Sequence, residues 1–136
     1  MEINTNLPLV SLVTLNFNGI RFLKKLFDSI RACTYPNLEI IMVDNFSTDD
    51  SIAFVEANYP EVKIVRNQEN LMYAGGNNEG LKVAHGKYIC LLNNDVEVDP
   101  GFVEPIVEAF EKDPALGAAQ PKILGMELRD HLEYAG

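Results

Sequence analysis

Polar and aromatic residues close three apolar segments of this 136-residue chain. Thr14, Asn16 and Phe17 end the first segment, Asp44 ends the second, and the run Asn93-Asn94-Asp95 ends the third. A carboxylate accepts hydrogen bonds and can bind a divalent cation, while an aromatic ring offers a face for stacking. Each residue alone could instead form a turn or cap a helix. Together, they favour a ligand-binding site over that structural alternative.

The elements that must position these residues are short strands that alternate with helices. Near-continuous apolar runs predict buried strands over residues 9–15, 38–43, 62–65 and 87–92. This alternation predicts a doubly wound α/β fold, with a mostly parallel sheet and helices on both faces. In such sheets, ligands bind beyond the carboxyl ends of the strands. The polar residues meet at that edge only if the strand order is 3-2-1-4.

Several element boundaries can also be predicted. The first helix has an apolar face at the spacing i, i+3, i+4, i+7, formed by Leu23, Leu26, Phe27 and Ile30. A small-residue helix covers residues 73–85, and Gly86 is expected to end it as a left-handed cap. Because Pro105 interrupts the last helical pattern, a turn is expected over 100–103 and a regular helix from about Glu104. A fifth strand is expected over 117–120.

Composition and charge exclude several classes of protein. The net charge is −9 and the pI is near 4.6, so nucleic acid is not an expected partner. No apolar run is long enough to span a membrane, and the amino terminus has no secretory signal, which predicts a cytoplasmic protein. Cys33 and Cys90 do not form a disulfide framework and are interpreted as neutral thiols. We expect residues 1–136 to form a single domain.

Common nucleotide and nucleophile motifs are missing. Residues 75–80 (GGNNEG) superficially resemble a dinucleotide-binding loop, but they follow the third strand instead of the first. The chain has neither a phosphate-binding loop ending in Gly-Lys-Ser/Thr nor a Gly-x-Ser-x-Gly elbow. Neither His85 nor His131 has a partner at metal-ligand spacing.

Four segments instead carry a family resemblance: residues 10–19 (VSLVTLNFNG), 41–51 (IMVDNFSTDDS), 70–80 (NLMYAGGNNEG) and 91–100 (LLNNDVEVDP). In this order and spacing, they closely resemble the amino-terminal half of family 2 inverting glycosyltransferases with the GT-A fold, particularly the rhamnosyltransferase-like bacterial branch. The resemblance covers about residues 9–123. It implies transfer of a sugar from a nucleotide diphosphate sugar, of UDP or dTDP type, to a glycan or lipid-linked acceptor in cell-surface polysaccharide synthesis.

The resemblance also implies roles for individual residues. Phe17 would stack on the base and Asp44 would accept a hydrogen bond from it. Asp95 would bind Mg²⁺ or Mn²⁺, and Asn94 would stand where a ribose contact is expected. The nucleotide-binding set implied by the resemblance and by position at the sheet edge is Thr14, Asn16, Phe17, Asp44, Asn70, Gly75 and Asn94.

In the family, the general base is an aspartate in the second half of the domain. We therefore expect this chain to be the donor-binding part, truncated before the acceptor-binding half and inactive alone. Asp130 and Glu133 are poor substitutes for the base. We also expect self-association through an apolar edge exposed by the truncation, and peripheral membrane association of the full-length protein. The alternative is a non-catalytic α/β nucleotide-binding or interaction module, because Asn93 and Asn94 replace carboxylates.

Overall fold

The computed structural model describes residues 6–127, 129 and 132–134. Its elements, in chain order, are β1 Val10–Asn16, α1 Ile20–Arg31, β2 Leu38–Asp44, α2 Ser51–Asn58, β3 Lys63–Arg66, α3 Met72–Val83, β4 Tyr88–Asn93, α4 Val103–Lys112, β5 Ile123–Leu124 and β6 Leu132–Tyr134. The first four strands form one parallel sheet in the order β3-β2-β1-β4. The predicted fold class and strand order are confirmed. The helix predicted from about Glu104 is also confirmed.

The strand register brings the polar strand ends together. Asn16 lies opposite Asp44 across β1 and β2, and Leu15 lies opposite Asn93 across β1 and β4. The three strands therefore end at nearly the same level. Because β1 is central between β2 and β4, Asn16 can reach both neighbours.

Helices cover both faces of the sheet. The larger core packs α1, α2 and α4 against one face, and all four predicted apolar residues of α1 are buried in it. The smaller core lies under α3 and contains Val13, Ile41 and Val43. A Cβ atom on Gly80 would lie 2.6 Å from Val13 Cγ1 and 2.8 Å from Val43 Cγ2. The glycine therefore lets α3 approach the sheet closely.

Two local predictions were wrong. Gly86 does not form a left-handed cap, because α3 ends at Val83 and Ala84 is extended. Gly86 is needed for space, since a Cβ there would lie 2.6 Å from the Ser11 nitrogen and 2.7 Å from the Tyr88 carbonyl oxygen. Residues 117–120 form no strand and are exposed, so no packing partner stabilises one there. Ile123–Leu124 instead pairs with Leu132–Tyr134 in a separate antiparallel sheet.

Both cysteines are free and partly buried. Burial raises the pKa of Cys33 to about 11, and Glu104 and Asp99 raise it further in the same direction. Burial alone raises the pKa of Cys90 to about 11. The interpretation of both residues as neutral thiols is confirmed. Among the described residues, no helix is both long and apolar enough to cross a membrane.

Glu39 ties the amino-terminal ends of the strands together. Its Oε2 accepts hydrogen bonds from Ser11 Oγ (2.6 Å) and from the His85 backbone nitrogen (2.8 Å), while Oε1 contacts His85 Nδ1 (2.9 Å) and Lys63 Nζ (3.4 Å). Burial raises the pKa of Glu39, but these hydrogen bonds, led by the His85 ring, lower it more and hold it at about 2. The folded state thus favours the ionised form.

We expect Glu39→Gln to lower the free energy of unfolding by roughly 1–3 kcal/mol at pH 7. Because the pKa in the folded state lies below the ordinary value of 4.5, this stabilisation is present above pH 4.5 and disappears as the pH falls towards 2. Urea unfolding at pH 7, 5 and 3 measures the difference. The exposed Glu69→Gln is the control. A gap between wild type and E39Q that does not narrow with falling pH would contradict the expectation.

Candidate functional site

Asn16 is the centre of a hydrogen-bond network at the carboxyl edge of the sheet. Its Nδ2 donates to Asp44 Oδ1 (3.0 Å) and to Ser47 Oγ (3.3 Å), and its Oδ1 accepts from Asn94 Nδ2 (3.0 Å). The side chain is fully buried. One amide therefore joins the ends of β1, β2 and β4, and three of the predicted site residues are brought together.

Asp44 is held tightly in this network. It is 1% exposed, and its Oδ2 accepts a hydrogen bond from the Ser47 backbone nitrogen (2.9 Å). Two of the roughly four acceptor positions of the carboxylate are thus used inside the protein. The remaining positions are available only to a donor that reaches this buried group beside the loop at Ser47.

Gly19 leaves the space in which Asn94 meets Asn16. A Cβ atom at this position would lie 2.3 Å from Asn94 Nδ2 and 2.6 Å from Asn16 Oδ1. Any larger residue would push the two amides apart. The sequence shows Gly19 only as part of a turn, so this requirement is visible only in the structure.

Asn18 connects the loop after β1 to the loop after β2. Its Oδ1 accepts hydrogen bonds from the Thr48 nitrogen (2.7 Å) and the Asp49 nitrogen (3.2 Å), and its own nitrogen donates to Ser47 Oγ (2.9 Å). Asn18 has φ of 48°, a conformation that asparagine tolerates better than most residues. The two loops are therefore fixed relative to one another.

Asn45 connects the end of β2 to the loop before α3. It is 2% exposed, and its Nδ2 donates to Asn70 Oδ1 (2.9 Å) and to the Met72 carbonyl oxygen (3.1 Å). Its Oδ1 accepts from Asn67 Nδ2 and from the Leu71 nitrogen, each at 3.0 Å. From the sequence, Asn45 was only a turn former. Its role as a bridge depends on long-range contacts that no local pattern reveals.

The other predicted residues occupy different depths. Phe17 is 51% exposed beside the network, and Asn70 is exposed on the rim with its Oδ1 bonded to Asn45. Gly75 lies in the first half of α3 and is partly buried. Thr14 is 2% exposed, and its hydroxyl has no hydrogen-bond partner within the described part of the chain. Thr14 thus lies beneath the surface.

Comparison with known proteins shows the family of this chain. The sequence model described as "Glycosyl transferase family 2" matches residues 11–134. The chain belongs to glycosyl transferase family 2. The rhamnosyltransferase-like branch remains a prediction. This family 2 chain is also 33% identical over 116 residues to an uncharacterised glycosyltransferase of Haemophilus influenzae, covering 83% of the chain and 36% of that relative. It therefore spans about a third of the relative's length.

Two solved structures share the fold of this family 2 chain. The mannosyltransferase PcManGT from Pyrobaculum calidifontis, in complex with GDP-Man and Mn²⁺, has a TM-score of 0.72 at 24% identity, covering 83% of the chain and 35% of PcManGT. TarS residues 1–349 of S. aureus, in complex with UDP-GlcNAc, have a TM-score of 0.71 at 17% identity, covering 89% of the chain and 42% of that structure. These likenesses establish the GT-A fold.

Asp95 is the one predicted metal ligand of this family 2 chain. It is exposed at the turn after β4, and its carboxylate has no hydrogen-bond partner among the described residues. Within that part of the chain, no three His, Cys, Asp or Glu side chains lie close enough to hold a metal ion. A carboxylate suits Mg²⁺ or Mn²⁺, which also keep water or phosphate oxygens as ligands. The residues therefore fit an ion shared with a diphosphate and do not fit a metal site built by the protein alone.

A separate groove lies along α1, away from the candidate site. It has a volume of about 590 Å³ and runs along α1, lined by Arg21, Lys24, Lys25, Asp28, Ser29 and Glu97. None of the predicted site residues lines it. The candidate site is instead an open edge, defined by its hydrogen-bond network and its exposed aromatic residues.

Proposed function

We propose that this chain is the donor-binding part of an inverting glycosyltransferase. It would bind a sugar linked to UDP or dTDP, for transfer to a glycan or lipid-linked acceptor in cell-surface polysaccharide synthesis. The observation that carries the proposal is the Asn16-centred network, which fixes the ends of β1, β2 and β4 beside the exposed Phe17. In an open α/β sheet, this edge is where nucleotides bind.

Each group at the edge has a role suited to its chemistry. The exposed Phe17 ring offers a face on which the base stacks. Asp44 supplies a carboxylate acceptor for the imide N–H of uracil or thymine. Asn94, held by Asn16, would contact the ribose, while Asn70 and Gly75 lie on the side of the site formed by α3 and the loop before it. We retain Thr14 as a support for this edge from below.

Asp95 would hold Mg²⁺ or Mn²⁺ together with the two phosphates. A divalent ion there neutralises the charge that develops on the nucleotide diphosphate as it leaves. The residues around Asp95 keep the site open, since Asn93 is exposed and Asn94 is bonded to Asn16. We assign no general base to the described residues. Asp130 and the side chain of Glu133, both judged poor substitutes from the sequence, lie outside them.

The solved relatives support the class of donor. TarS binds UDP-GlcNAc, and PcManGT binds GDP-Man with Mn²⁺. Both ligands are nucleotide diphosphate sugars, and the PcManGT complex also contains a divalent ion. We propose UDP or dTDP for this chain because the Asp44 carboxylate can accept a hydrogen bond from the imide N–H of uracil or thymine. The cytoplasmic setting remains a prediction.

Calorimetry with a panel of nucleotide diphosphates tests the proposal. UDP, dTDP, GDP and CDP are titrated into the protein with Mn²⁺ present, with inorganic pyrophosphate as the ligand that lacks a base. We expect UDP or dTDP to bind most tightly and pyrophosphate most weakly. If no nucleotide binds, the non-catalytic interaction module is favoured, a reading that the single carboxylate at Asp95 already supports.

We further propose that the chain self-associates through β4. Within the described residues, β4 pairs only with β1, and its side chains Ile89 and Leu91 are 42% and 48% exposed. An unpaired strand edge with apolar side chains is a site for pairing with a second copy. Light scattering should detect a dimer or larger species, and Leu91→Lys should reduce its fraction. The exposed Leu124→Lys is the control. A monomer at every concentration would contradict this proposal.

A further inference from the structure

Three non-glycine residues adopt positive φ in the described chain, and all three lie around the candidate site, two in loops and one at the start of α3. They are Asn18 (φ 48°), Phe46 (φ 70°) and Met72 (φ 60°). This region of conformational space is tolerated by asparagine but is unfavourable for bulky side chains. Phe46 and Met72 therefore hold a strained backbone that glycine would adopt without cost.

Phe46 and Phe17 stand on facing segments that are tied together on both sides. On one side, the Asn45 nitrogen donates to the Asn16 carbonyl oxygen at 2.8 Å. On the other side, the Asn18 nitrogen donates to Ser47 Oγ at 2.9 Å. Each phenylalanine lies between two of these anchoring residues. The two phenylalanines therefore lie on neighbouring loops, which follow the ends of β1 and β2.

Neither ring is used by the fold. Phe17 is 51% exposed and Phe46 is 55% exposed. Among the described residues, neither takes part in an aromatic ring pair or a cation–π contact. An exposed phenyl group adds little to the core, and the backbone turn at Phe46 would form more easily with glycine. The strained backbone at Phe46 therefore costs free energy that no contact of its side chain in the folded protein offsets.

We propose that Phe46 is a second aromatic contact for the base of the donor nucleotide, alongside Phe17. This inference rests on the proposed function and extends it to a residue that the sequence did not single out. The base is the planar, least polar part of a nucleotide diphosphate sugar, and its faces are the surfaces that aromatic rings bind. The fixed backbone at Phe46 restricts where the ring can lie before the nucleotide arrives, which reduces the entropy lost on binding.

The substitution Phe46→Gly separates binding from folding. If Phe46 contacts the base, affinity for UDP and uridine falls roughly three- to tenfold, while affinity for inorganic pyrophosphate is unchanged. Stability to urea stays the same or rises, because the positive φ is no longer strained. If Phe46 had a purely structural role, Phe46→Gly would instead lower the stability to urea. Met72→Gly is the matched control, since it removes the same kind of strain, adds the same flexibility and takes away no aromatic ring.

A second variant gives a direct signal. The chain contains no tryptophan, so Phe46→Trp introduces a single indole at the proposed contact. Saturating UDP or uridine should change its fluorescence, whereas Met72→Trp should respond to uridine little or not at all. Stacking requires no transfer of atoms, so the signal should reverse on dialysis.

The outcomes distinguish this inference from the proposed function. One outcome would overturn the inference alone: wild type binds UDP, Phe46→Gly binds UDP and uridine equally tightly, and the indole at position 46 does not respond. Phe46 is then not a base contact, and the proposed function stands. If wild type binds no nucleotide at all, the proposed function fails and the inference fails with it. A loss of affinity confined to F46G, with the indole response at position 46, supports the inference.

Discussion

Asp44→Ala is expected to weaken binding of UDP or dTDP by about 1.5–3 kcal/mol, or roughly 10- to 150-fold. The buried carboxylate bonds to Asn16 and to the Ser47 nitrogen, and it is the acceptor proposed for the imide N–H of the base. Its removal leaves the buried Asn16 amide and the Ser47 nitrogen with one fewer acceptor. Calorimetry on the folded variant measures the loss, and urea unfolding records the accompanying cost in stability.

The control for this variant is Asp50→Ala, which removes an exposed carboxylate from the same loop. The Asp50 side chain does not cap α2, so its loss should change affinity less than twofold. Asp44→Asn separates two roles of the carboxylate. A direct bond to the base predicts that this variant loses the preference for UDP over CDP, because cytosine has no imide N–H. An equal loss for both ligands indicates that Asp44 positions the network instead. Unchanged UDP affinity in Asp44→Ala would exclude both roles.

The parts of this fold that the sequence predicted are those with local or repetitive signals. The strands of the main sheet are short apolar runs, and the α1 face is set by helical spacing at Leu23, Leu26, Phe27 and Ile30. The order β3-β2-β1-β4 was predicted because it places the ends of β2 and β4, with Asp44 and Asp95, on either side of the end of β1, with Phe17. The expected meeting of the functional residues was thus used to predict the order of the strands.

The parts that the sequence did not predict depend on distant neighbours. Gly86 follows a helix, so a left-handed cap was the local expectation, but the backbone of Ser11 leaves no room for a side chain there. Asn45 has the composition of a turn former, yet it bonds to residues more than twenty positions away. Phe46 was hidden for a related reason, since its positive φ is fixed by loop contacts and not by its own preference.

In the candidate site too, some features were predicted from the sequence and others were not. The sequence predicted that polar residues at the strand ends would meet at one edge, and the contacts of Asn16 with Asp44 and Asn94 confirm this for three of them. The depth of each residue did not follow, because polar residues at a strand end can face the solvent or the interior. Asp44 and Thr14 proved to be buried, whereas Phe17 and Asp95 are exposed. Phe17 and Asp95 are therefore open to solvent, whereas Asp44 and Thr14 lie beneath the surface of the edge.

Divalent metal and nucleotide should bind cooperatively, because Asp95 alone cannot supply enough ligands. In the absence of nucleotide, we expect Mn²⁺ or Mg²⁺ to bind weakly. With UDP present, each ligand should strengthen the binding of the other by the same factor, roughly 5- to 150-fold, which corresponds to about 1–3 kcal/mol of coupling. Removal of the metal with a chelator should lower UDP affinity by that factor. Calorimetric titrations in both orders measure it.

Asp95→Asn is expected to abolish this coupling while leaving metal-free UDP binding nearly unchanged. The Asp95 carboxylate is exposed and bonds to no other described residue, so the fold loses nothing when it becomes an amide. Asp99→Asn is the matched control. Asp99 is an exposed aspartate four residues further along, and its Oδ1 accepts a hydrogen bond from the Gly101 nitrogen, which an amide oxygen can also accept. Coupling that survives in Asp95→Asn, or tight metal binding to the nucleotide-free protein, would show that the ion is held by other residues.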